Sequence, residues 1–152
     1  MKGDLMQRFA TLAPTLTLLW AGVALGGNII AAPAKFQVQS LTTAELLQVG
    51  RAQFAWLGIA ELAIAAGLIV VLLFGRVRLT WTLAVAVVLL AVQQFIWQPA
   101  LEARSDLIAT GGTPEESHLH LIFVVAEFAK FLLLISAGHV LLARHSRNEQ
   151  PH

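Results

Sequence analysis

Residues 54–74 read FAWLGIAELAIAAGLIVVLLF. The run holds one charge, Glu61. It is long enough to cross a hydrocarbon core of about 30 Å at about 1.5 Å per helical residue. Three runs of the same kind surround it. Residues 12–32 are LAPTLTLLWAGVALGGNIIAA, residues 79–97 are LTWTLAVAVVLLAVQQFIW, and residues 119–142 are LHLIFVVAEFAKFLLLISAGHVLL. Membrane strands would instead alternate over roughly ten-residue segments. Backbone polar groups in lipid must pair internally, so four α-helices are the economical solution. The composition agrees: 57% of the 152 residues are hydrophobic and 12% are charged, where a soluble domain carries about 25% charge. A soluble globular domain is therefore excluded. The sequence predicts an all-α fold, a transmembrane four-helix bundle, with residues 1–152 forming one integral domain and the lipid bilayer as its main partner.

Charge and cysteine content remove further classes. A net charge of +1 gives no electrostatic support for a nucleic-acid partner. With no cysteine there can be no disulfide, iron–sulfur cluster, thiolate metal site or cysteine nucleophile. Lys2 and Arg8, followed by the small residues Ala32-Pro33-Ala34, also fit a cleaved signal peptide. The apolar run exceeds the usual 7–15 residues of such a segment, so the span reads as retained.

Orientation follows the basic residues of the short connections. Lys2, Arg8, Arg76, Arg78, Arg144 and Arg147 share one side of a four-span chain, and Lys35, Arg51 and Arg104 share the other. Six against three places both termini in the cytoplasm. Residues 75–78 form a tight turn, which makes spans two and three antiparallel neighbours. Between spans one and two, Thr42 or Thr43 followed by Glu45 reads as a helix cap, predicting a short amphipathic helix along the outer surface that runs into span two. A helix extension is expected over residues 100–109. Thr113 to Glu116 reads as the cap and first turn of span four, with Pro114 at the first helical position. Residues 144–152 read as a flexible cytoplasmic tail.

The polar residues inside the spans carry the functional signal, because they are costly there and face a bundle interior or a wet cavity. They are Asn28, Glu61, Gln93, Gln94, His120, Glu127, Lys130 and His139. All except His139 fall in the outer half or near the midplane. His120, Val124, Glu127 and Phe131 lie on one face of span four, Arg51, Phe54, Gly58 and Glu61 on one face of span two, and Gln94 and Gln98 on one face of span three. With Asn28 in span one, these stripes predict a single outward-facing pocket made by Asn28, Arg51, Glu61, Gln94, Gln98, His120, Glu127 and Lys130. Glu127 and Lys130 are three apart and can pair within the helix. Glu61 is then protonated, or paired with Arg51 or Lys130.

Three readings of the pocket stand at this point: a structural polar network, a site for a small ligand or ion, and a catalytic site. Glu61, Glu127 and His120, with Gln94 or His118 in reserve, are the ligand types for a divalent metal such as Zn or Mn, and less so for Cu(I). Haem is disfavoured, because every histidine lies in or after the start of span four. Gly22 and Gly26 form a GxxxG pair that permits close helix approach, within the bundle or in a homo-oligomer. Phosphate loops and nucleophile elbows are missing from the sequence.

The segments WAGVALGGNIIAAPAKF, LTTAELLQVGRAQFAWLGIAE, QQFIWQPALEARSDLIATGG and ESHLHLIFVVAEFAKFLLLISAG resemble the bacterial four-span relatives of transmembrane protein 205. The shared outline is a small-residue first helix ending in Pro-x-x-Phe, an amphipathic entry to helix two, a Pro closing helix three, and a His opening helix four. The resemblance implies a four-helix fold in a bacterial inner membrane and no particular chemistry. The first half distantly resembles the Trp-Gly-Gly helix of copper-resistance membrane proteins. Here it reads Trp20-Ala21-Gly22, without the Met and His richness of copper carriers. A third resemblance, to anthrone-oxygenase-like four-span proteins, implies an enzyme acting on a lipophilic ring. The leading expectation is a non-enzymatic membrane protein that binds a small ligand or ion, or supports a larger membrane complex. The alternative is a membrane enzyme, metal-dependent or cofactor-independent, or a metal or drug transport accessory.

Overall fold

The computed structural model describes residues 2–113 and 115–148. Four helices are long and apolar enough to cross a membrane: Met6–Gln37, Thr43–Phe74, Trp81–Ala109 and Leu119–Arg147, called spans one to four below. No strand occurs among the described residues. The outer surface is apolar: Trp56 and Trp81 are each 73% exposed, Leu73 71% and Phe95 70%. Water does not tolerate so continuous an apolar surface on a small protein, whereas lipid does. The chain is an all-α, multi-pass membrane four-helix bundle.

The helix starts follow local chemistry. The Thr42 side chain accepts from the Glu45 backbone N–H at 3.3 Å, and Glu45 Oε2 accepts from the Thr42 backbone N–H at 2.7 Å. That reciprocal cap opens a helix that runs unbroken to Phe74. The expected amphipathic helix runs into span two, as one continuous helix with it. The cap forms as the sequence indicated, and no proline or left-handed residue follows to break the rod. Thr80 caps span three, accepting from Leu83 N–H at 3.2 Å. Span four begins at Leu119, whose N–H is taken by Ser117 Oγ at 3.1 Å, so Glu115 and Glu116 precede the helix instead of forming its first turn. Pro114 lies outside the described residues. The expected tail is helical as far as Asn148, and residues 149–152 also lie outside the described residues. The helix extension expected over residues 100–109 is present as Gln98–Ala109.

Spans one and three share an irregularity. Each widens into a π-helical stretch, Ala24–Ala31 in span one and Gln93–Trp97 in span three. Each stretch stands just before a proline, Pro33 or Pro99. Proline has no N–H to return to the preceding turn, and a π turn is one way a helix absorbs that loss.

Span one packs against spans two and four, and span three packs against span four. Of the neighbouring pairs, spans two and three touch least, despite the tight turn that joins them. An apolar groove of about 400 Å³ separates their lower halves, between Leu68 and Leu72 on one wall and Leu83 and Val87 on the other. Their upper ends are tied by an ion pair, Arg51 Nη2 to Asp106 Oδ1 at 2.5 Å. The apolar core, including Trp20, Leu68, Leu83, Leu90, Leu134 and Leu141, fills the half nearer the chain termini. The polar site lies above it.

Candidate functional site

Lys130, in span four, is completely buried. Its ammonium carries three N–H donors. They reach Glu61 Oε2 at 2.5 Å, Gln93 Oε1 at 2.9 Å and Glu127 Oε1 at 2.9 Å. Asn28 Nδ2 donates to Glu61 Oε1 and to Glu127 Oε2, each at 3.0 Å. Trp20 Nε1 donates to Glu61 Oε2 at 3.0 Å. Both carboxylates thus share the same two donor groups and form one site joining all four spans. Glu61 and Glu127 are 1% and 3% exposed, so little water enters their balance. Two acids meet one base, which leaves one excess negative charge if all three ionise.

The π turns position two members of this network. Asn28 sits in the first and Gln93 in the second. Sequence periodicity favoured Gln94 with Gln98, but the wider turn brings Gln93 to Lys130 instead. Gln94 lies against Gly58, where a Cβ would clash with Gln94 Oε1. Gln98 donates to Glu102 at 3.1 Å. Arg51 pairs with Asp106 and not with Glu61. Gln53 and Trp20 were missing from the expected site. Gln53 Nε2 donates to Gly27 O at 2.7 Å, in the π turn beside Asn28.

Beside the network lies a cavity of about 310 Å³ between spans one, two and four. Asn28 and Glu127 form its polar end, Phe54, Phe123 and Phe128 give it apolar walls, and His120 also lines it. Phe54 meets Phe123 edge-on at 5.8 Å, and the Lys35 ammonium stands 5.2 Å from the Phe54 ring centre. Val124 and Phe128, 37% and 49% exposed, bring the wall out to the flank of the bundle. Asn28 Oδ1 and Gln93 Nε2 are buried without a hydrogen-bond partner.

The expected metal set does not assemble. Among the described residues no three His, Asp or Glu side chains come together as a donor group. Lys130 stands between the carboxylates where a cation would bind, and His120 takes no part in the network. The Gly22–Gly26 pair is also placed differently from the expected packing face: a Cβ at either meets nothing within 4 Å. The close approach falls to Gly27 instead, against Leu57.

No family model, curated protein or solved structure matches this chain.

Proposed function

We propose that this protein binds a small amphipathic molecule in the cavity beside Asn28 and Glu127. Its head group is a hydrogen-bond donor or a cation, and its apolar body lies against the Phe54, Phe123 and Phe128 rings. The observation that carries this is Asn28, which lines the polar end of an apolar-walled cavity and whose Oδ1 is buried without a partner. Buried polar atoms are nearly always paired, so an orphan beside a cavity calls for a partner. The excess of acid over base in the network favours a donor or a positive charge there. The volume suits a small ligand. The exposed flank at Val124 and Phe128 supports entry from the bilayer.

The setting proposed is a bacterial inner membrane with both termini cytoplasmic, which puts the cavity in the outer half. The outward-turned Gly22–Gly26 pair supports a homo-oligomer. The ligand reading is tested by purifying the wild type and Ala32→Phe side by side. Ala32 lines the cavity without touching the ion network. Mass spectrometry of co-purifying molecules should show a species enriched over bulk lipid in the wild type. In the filled-cavity variant it should fall at least about tenfold, a change of about 1.4 kcal/mol in binding. Matching inventories would overturn the proposal.

A further inference from the structure

At the opposite end of the bundle from the ligand cavity, a second cavity of about 670 Å³ opens beneath the 75–78 turn. Arg76, Arg78, Arg144, His145 and Arg147 line it. Among the described residues its lining contains no carboxylate, and no ion pair there engages any of the four arginines. The backbone holds this cluster in place. Arg76 adopts a left-handed conformation at φ 50°, which costs a non-glycine residue roughly 1–2 kcal/mol. Arg144 Nη1 donates to the Arg78 carbonyl at 3.2 Å and ties span four to the turn. Arg147 Nε donates to Ala143 O at 3.2 Å, which leaves its terminal nitrogens available.

Four guanidinium groups this close repel one another. The helix C-termini of spans two and four lie at this end together with the N-termini of spans one and three, so their half-charges cancel and offset none of the four cations. An anion seated in the cleft relieves the repulsion. A guanidinium fork matches phosphate oxygens in pairs. Basic pockets between membrane helices at the headgroup level take anionic lipid heads. The apolar side of the cleft, with Pro14, Val77 and Leu141, suits a headgroup attached to acyl chains.

We propose that this cleft binds a phosphate group, presented by an anionic phospholipid headgroup or as the free ion. The full-length protein in nanodiscs of phosphatidylcholine and phosphatidic acid tests it by native mass spectrometry. Phosphatidic acid should be retained roughly tenfold over phosphatidylcholine. Arg78→Gln with Arg147→Gln should lose that preference. Arg78→Lys with Arg147→Lys should recover only part of it, because charge returns without the fork. Arg104→Gln, at the other end of the bundle, should change nothing. In detergent without lipid, inorganic phosphate should raise the melting temperature of the wild type and not of the double Gln variant. If only this second arm responds, the source is the free ion. The proposal fails if neither arm responds. It fails equally if Arg104→Gln loses as much as the cleft variant, or if the Lys pair restores everything, since either result means diffuse charge.

Discussion

Lys130 has its three donors engaged on three side chains from three helices, its own included. Removing such a buried cation leaves two carboxylates facing each other in a medium that solvates neither. Lys130→Met should therefore destabilise the protein by about 3–5 kcal/mol, as breaking buried pairs does. Glu127→Gln should cost clearly less, because one carboxylate still faces one ammonium and the excess charge is gone. Thermal unfolding in a mild detergent gives the order, and a Lys130→Met protein as stable as wild type would sink the network. Replacing both Glu127 and Lys130 with Leu does not restore balance, since Glu61 then stands alone with Trp20 and Asn28. Much of this site could be read from the sequence. Depth and helical stripes singled out Asn28, Glu61, Glu127 and Lys130, because charge inside a span has few places to go. Trp20 escaped notice because a tryptophan in an apolar run usually reports packing or an interface. Its indole N–H becomes informative only once Glu61 is seen beside it.

The register of whole elements explains the other differences. Reading span three at 3.6 residues per turn groups Gln94 with Gln98, whereas the π stretch before Pro99 turns Gln93 inward. A proline is visible in sequence, but whether the helix kinks, breaks or widens there depends on its neighbours. Glycines divide in the same way. Gly22 and Gly26 look like a packing face and yet meet open space, while Gly75 sits in a turn where a Cβ would lie 2.8 Å from Val71 O and 3.0 Å from Ala10 N. Those are backbone atoms that cannot swing aside. Gly75→Ala should therefore cost about 1–3 kcal/mol through forced backbone shifts. In monomeric preparations Gly22→Ala should be neutral or stabilising by up to about 1 kcal/mol from helix propensity, since a Cβ there meets nothing within its own chain. Chemical unfolding of the two variants checks the contrast. A large loss at Gly22 would mean that something outside this chain packs there, and size measurement in nanodiscs would identify a second copy.

At the scale of the whole molecule, the bundle has two unlike ends. Arg76, Arg78, Arg144 and Arg147 gather with the chain termini, while Arg51 and Asp106 pair at the other end, where Lys35 also lies. The helices themselves were plain in the sequence, since long uncharged runs have one solution in lipid. Their arrangement was not: the shortest connection joins the neighbouring pair that touches least, because turn length limits distance without supplying complementary faces. The proposed orientation, with the arginine-rich end in the cytoplasm, rests on the basic asymmetry alone. The absence of cysteine makes this directly measurable, because a single introduced thiol is the only one present. Thr110 and Ser146 are exposed at opposite ends. In intact cells a membrane-impermeant maleimide should label Thr110→Cys at once, and Ser146→Cys only after permeabilisation. The reverse pattern would turn the molecule over. It would also move both cavities to the other leaflets: the ligand cavity would open to the cytoplasmic half, and the arginine cleft would lose its access to the anionic inner surface. One labelling experiment therefore bears on where each ligand must come from, independently of whether either one binds.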